Sequence, residues 1–180
     1  FSKKGFKQTT LHAIARRAKM GKASLYYYFP NGKESIFSAV VESQVSKVFA
    51  TILAALEAAQ TPRDKLEAYL RARIEHSHAQ IREHQLTDTT REELMPIAEV
   101  EAKKYFVQEL EILEYLLKAG KEAGQFTTES PAVAARMIQA SMKALTTDGP
   151  IQAEAGVREL EMNEFLRLTL TGLEAHKTAA

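Results

Sequence analysis

The chain has 180 residues, 45% of them hydrophobic and 26% charged, which suffices for one ordinary core or for a small head on a larger body. It has no cysteine, which excludes disulfides and thiolate metal sites and fits a reducing, cytoplasmic setting. The formal net charge of +1 hides an asymmetry: residues 1–33 carry eight basic side chains and no acidic one, which leaves −7 for residues 34–180. A basic head on an acidic body points to a nucleic-acid partner. No apolar run approaches the ~18 residues of a membrane span and no signal peptide is visible, so no membrane partner is expected.

The first residue is Phe1 rather than Met, so residues are expected to be missing upstream. Phe1 to Phe6 reads as the last turn of a helix, with Gly5 as its left-handed stop. Leu11, Ile14, Ala15 and Ala18 recur at helical spacing, and Thr9 and Thr10 stand where they can cap that helix. Lys19-Met20-Gly21 breaks the period. A second short helix is expected from Lys22 to Phe29, with Leu25, Tyr26 and Phe29 packing inward. Two short helices around a tight turn form a helix-turn-helix, whose second helix enters the DNA major groove.

Pro30-Asn31-Gly32 ends that helix. A long helix follows from Lys33 to about Ala59, with an apolar stripe from Ile36 to Leu56; its start packs on the head and its end on the body. Thr61-Pro62-Arg63-Asp64 opens the next, reaching about His84: Thr61 caps and Pro62 takes the first position. Gln85 to Thr90 reads as a loop. A short helix over 91–94 is expected to stop before Pro96, and a long one to run from Ile97 to Ala123. Ser130-Pro131 starts a helix to about Thr147, ended by Asp148-Gly149-Pro150, and a last helix covers Ala155 to Ala175.

The fold class is therefore all-α. Gly5-Phe6, Thr9-Thr10, Ile14-Ala15-Arg16-Arg17-Ala18, Lys22 to Pro30 and Lys33-Glu34 together resemble the N-terminal domain of TetR-family transcriptional regulators. The resemblance implies a three-helix helix-turn-helix DNA-binding domain over 1–45, incomplete at its start, and a helical-bundle ligand-binding and dimerisation domain over 46–180. It also implies that Thr10, Lys22, Ala23, Ser24, Tyr27, Tyr28 and Lys33 lie at or near double-stranded DNA, with Thr10 and Lys33 on phosphates. Two positions depart from the family pattern. Lys19 replaces the usual Gly of a turn that needs positive φ, and Gly21 stands at the recognition-helix N-cap, where it offers no side-chain acceptor.

In the body, polar and aromatic residues interrupt apolar stripes at Tyr69, Arg73, Ser77, Tyr105, Phe106 and Glu109, as they would around a pocket for a small-molecule effector. Ile138, Ser141, Met142 and Leu145, with Leu166, Leu170 and Leu173, are candidates for a homodimer interface built as a four-helix bundle. No catalytic constellation is visible, and no cofactor is implied. His76 and His78 diverge on a helix, and His84 lies two turns beyond His76, which argues against a metal site. The expected function is a ligand-responsive regulator, a repressor that binds a palindromic operator as a dimer and is released by an effector. The alternatives are an effector-independent DNA-binding dimer, or a helical metal-binding protein or enzyme.

Overall fold

A computed structural model describes residues 1–84, 87–148 and 155–174. Among them the chain forms α1 (Gly5–Gln8), α2 (Leu11–Ala18), α3 (Lys22–Tyr28), α4 (Lys33–Ala58), α5 (Pro62–His84), α6 (Asp88–Glu122), α7 (Pro131–Lys143), a π turn (Ala144–Asp148) and α8 (Ala155–Leu173). The local start signals act as the sequence suggests. Thr10 caps α2 by accepting from the Ala13 N–H, Thr61 accepts from the Asp64 N–H before α5, and Ser130 accepts from the Val133 N–H before α7. Gly21 occupies the α3 N-cap without a side-chain bond. Gly5 has φ +72°, and Lys19 takes the left-handed conformation at φ 53°.

Gly5, expected to stop a helix, instead opens α1 (Gly5–Gln8), and a boundary in the body differs too. Residues 91–94 and 97–122 are not two helices: α6 is continuous through Pro96, and it starts at Asp88, within the stretch expected to be a loop. Thr87 caps it, accepting from the Thr90 N–H. Proline removes one bond, from position 96 to the Glu92 carbonyl, at a cost of about 3 kcal/mol. Thr90 and Leu94, both buried, hold the first turns of the helix in place across that gap. Residues Gln85, Gly149, Pro150 and Ala175, at the edges of other expected elements, lie outside the described residues.

α5 is the central rod. Leu66, Tyr69, Leu70 and Ile74 are fully enclosed, packed with Ile52 of α4, Leu113 and Leu117 of α6, Ile138 and Met142 of α7, and Leu166 and Leu170 of α8. Beyond α6, Phe126 fills the core beside Gly120, and the Thr127 N–H donates to the Leu173 carbonyl, tying the end of α8 to this segment. α4 is long and apolar enough, by length and composition, to cross a membrane. Here Phe37, Val48 and Ile52 are buried, and Val41, Val45 and Phe49 line a cavity. The boundary expected near residue 45 falls inside this unbroken helix.

Candidate nucleic-acid interface and ligand cavity

The head presents one basic, aromatic surface. In α3, Leu25 is buried against the rest of the head, so the remaining faces of this short helix turn outward. Tyr27 is 82% and Tyr28 65% exposed, their rings edge to face at 5.3 Å. Lys22, Ala23 and Ser24 are exposed beside them, as are Arg16 and Arg17 on α2. Tyr26, expected to pack inward, is instead exposed, with the Lys22 ammonium 5.9 Å from its ring centre. A helix of seven residues around one buried leucine has no second inward position at that angle. Thr10 is exposed; its oxygen accepts the capping bond, so its hydroxyl hydrogen is left to donate outward.

Lys33, expected on a phosphate, makes its contacts here within the protein. Its Nζ donates to the Phe6 carbonyl at 2.9 Å and lies 4.4 Å from the centre of the Phe6 ring. The ammonium is engaged with the end of α1. It holds the head to α4 together with the stacked and edge-on rings of Phe1, Phe6 and Phe37.

Behind the head, α4, α5, α6 and α7, with Phe1 and Ser2 of the head, line a half-open cavity of about 980 Å³. Tyr69, Arg73, Ser77, Tyr105, Phe106 and Glu109 all line it. A hydrogen-bonded network joins three of them, Arg73, Ser77 and Glu109. Arg73 donates through Nε to Glu109 at 2.8 Å and through Nη1 to Ser77, while Gln139 of α7 donates to the other Glu109 oxygen at 2.9 Å. Glu109 is therefore buried but paired, as a buried carboxylate must be. Burial, then the neighbouring Glu109 charge, pushes the Tyr69 hydroxyl well above its ordinary range, so it stays protonated.

The sequence did not single out Gln44, Gln80, Arg136 or Gln139, which also line the cavity. Each is one polar residue in an ordinary helical pattern, and only the packing of four helices reveals its position. His76 and His84 line the same cavity, whereas His78 is buried toward the Leu145 backbone, so the pair diverges as helical geometry requires. Among the described residues no group of three or more His, Asp or Glu side chains is placed to hold a metal ion.

The dimer candidates need correction. Ile138, Met142, Leu166 and Leu170 are 2–6% exposed and sit in the protomer's own core. Burying such a side chain is worth about 1.5–3 kcal/mol, so none is free to turn toward a second copy. Leu145 and Leu173 are half-buried, and Ser141 is exposed. The apolar side chains that these helices do show to solvent are Val133 and Met137 on α7, and Val157, Leu160 and Leu168 on α8.

Residues 1–40 match the family described as "Bacterial regulatory proteins, tetR family". No curated protein matches the chain. Among solved structures, a transcriptional regulator from Cytophaga hutchinsonii aligns with TM-score 0.68 and 23% identity over 95% of this chain and 91% of its own. The ketosteroid transcriptional regulator KstR2 of Mycobacterium tuberculosis aligns with TM-score 0.68 and 20% identity, covering 98% and 90%. The regulator FadR from Bacillus subtilis, in complex with stearoyl-CoA, aligns with TM-score 0.72 and 20% identity, covering 96% and 93%. At these identities the likeness is one of fold, a helix-turn-helix head on a helical body.

Proposed function

We propose that this chain, a tetR-family transcriptional regulator by its first 40 residues and by its fold, is a cytoplasmic, non-enzymatic repressor that binds a palindromic operator as a homodimer and is released by a small molecule in the cavity. The observation that carries the reading is the double use of α4. Its first turns hold the head through Lys33 and Phe37, and its middle turns, Val41 to Phe49, form a cavity wall. A molecule that fits the cavity better in one position of α4 than in another shifts the head by that difference in affinity.

On the DNA side, Lys22 and Thr10 face phosphates, while Ala23, Ser24, Tyr27 and Tyr28 approach the groove. Lys33 acts as a positioning residue. A second copy supplies the other head, so that two recognition helices read half-sites about 34–36 Å apart or a multiple of that. The interface uses Val133, Met137 and Ser141 with Val157, Leu160 and Leu168, the solvent-facing stripes of α7 and α8. The effector-independent alternative calls for a solid body, and a cavity of about 980 Å³ speaks against it.

The test is duplex binding by fluorescence anisotropy on a palindrome recovered from a random library, at several salt concentrations. The logarithm of the affinity is expected to fall linearly with the logarithm of the salt concentration, and Lys22→Ala to reduce that slope by about one. Tyr27→Ala is expected to weaken binding about tenfold at unchanged helicity. A monomer in solution, or indifference to duplex DNA at low salt, would overturn the reading.

A further inference from the structure

The cavity is not uniformly apolar; it is two-sided. α5 contributes Tyr69, Arg73, His76, Ser77, Gln80 and His84, positions that recur every three or four residues and so share one face. From first to last this polar row extends about 22 Å at 1.5 Å per residue. α4 contributes an apolar row, Val41, Val45, Val48 and Phe49 among it, interrupted by Gln44. Two polar atoms in these two walls, the Gln44 Oε1 and the His76 Nε2, are buried without a hydrogen-bond partner, and a third, the Tyr69 hydroxyl, interacts with Glu109 but lacks a partner at full hydrogen-bond geometry. Buried polar atoms are ordinarily satisfied, and an orphan calls for an explanation. All three belong to residues of the cavity wall, and they lie on two helices rather than in one corner.

The lining holds four cationic and two carboxylate side chains, and three of the cations are paired. Of the four Arg and Lys side chains in the lining, Arg73 holds Glu109, Arg91 holds Asp88 and Lys143 holds Glu99; the fourth, Arg136, is exposed to solvent. An anionic group deep in the cavity would have to take a cation from its carboxylate.

We propose that the cavity binds an uncharged, facially amphipathic molecule, with hydrocarbon against α4 and several hydroxyl or carbonyl groups spaced along the edge that faces α5. A head-to-tail amphiphile, with one polar group at one end, would leave most of the polar row facing hydrocarbon. The volume, equal to roughly 33 water molecules at about 30 Å³ each, admits a rigid fused-ring skeleton of that kind. Burial, followed by the Arg73 and Lys47 charges, holds the His76 ring below its ordinary pKa, so near neutral pH it offers a dipole rather than a cation. This inference rests on the cavity being the effector site.

The experiment compares matched probes on the full chain by titration calorimetry. One pair is a trihydroxy steroid amide with its hydroxyls on one face and its monohydroxy counterpart. A second is a pentahydroxyflavone and unsubstituted flavone. Dodecanamide and the neutral dye Nile red serve as head-to-tail and general apolar probes. In at least one pair the polyhydroxylated member is expected to bind tenfold or more tightly, although it is the less hydrophobic, and Gln80→Leu is expected to reduce that ratio at least threefold. If hydroxylation weakens binding or leaves it unchanged in both pairs while dodecanamide or Nile red binds, the ligand class is wrong and the cavity remains a ligand site. If no probe binds, Nile red included, the cavity reading falls and this inference with it.

Discussion

The backbone N–H of Lys7 donates to the carboxylate of Glu93 at 2.6 Å, which joins the head to α6 just ahead of Pro96. The approach needs Gly5: a Cβ there would lie 1.9 Å from the Glu93 Oε2, and its φ of +72° already disfavours any side chain. Gly5→Ala is therefore expected to cost about 1–2 kcal/mol, from left-handed strain and from pushing Glu93 off the Lys7 N–H. Glu93→Ala is expected to cost about 1 kcal/mol, because the freed N–H is exposed to water. Urea denaturation measures both, and faster amide exchange at Lys7 and Gln8 in Glu93→Ala would report the loosened head.

Arg73 and Glu109 form the buried ion pair of the cavity wall, their side chains 22% and 8% exposed. Removing one partner leaves an uncompensated charge, and Arg73→Met is expected to destabilise by about 3–5 kcal/mol. The double variant Arg73→Met with Glu109→Gln is expected to recover more than 1 kcal/mol relative to the sum of the single changes. A double-mutant cycle in urea gives the coupling directly.

Lys19 ends α2 in the left-handed conformation at φ 53° and ψ 37°, where a Cβ is crowded by the backbone by roughly 1–2 kcal/mol. Lys19→Gly removes that crowding but gives the unfolded chain more freedom. The net expectation is a gain of about 0.5–1 kcal/mol, seen as a higher denaturation midpoint at unchanged slope.

His76 and His78 are both held below their ordinary pKa of 6.5, in each case by burial first; Arg73 adds to this at His76, while a bond that the His78 ring donates to the Leu145 carbonyl partly opposes it there. The unfolded chain therefore binds more protons than the native one between the depressed native values and 6.5. Stability is full above about pH 7.5 and falls as the pH drops through 6.5 toward those values. Denaturation at pH 7.5 and pH 6.0 is expected to show the loss, and the His76→Asn, His78→Asn variant to show a smaller one.

Many helix starts and turns were legible because their signals are local. Thr10, Thr61 and Ser130 each accept from an N–H group three residues away, and Gly5 and Lys19 are set by single backbone angles, so neighbours in sequence suffice. Pro96 shows the limit of the same reasoning. The local rule ends a helix there, but burial of Thr90 and Leu94 outweighs one missing hydrogen bond.

The cavity was half legible. Tyr69, Arg73 and Glu109 stood out because polar groups amid apolar stripes need partners, whereas Gln44, Gln80 and Gln139 look like any solvated position until α4, α5 and α7 close around one volume. The chain alone determined the all-helical class, the basic head and most helix starts, because 3.6-residue periodicity and capping are properties of short segments. Only the tertiary structure decided that Ile138, Met142, Leu166 and Leu170 fill the protomer rather than its surface, and that Lys33 grips α1. An apolar face specifies that something must cover it; which element does so depends on how whole helices pack, and no single segment carries that information.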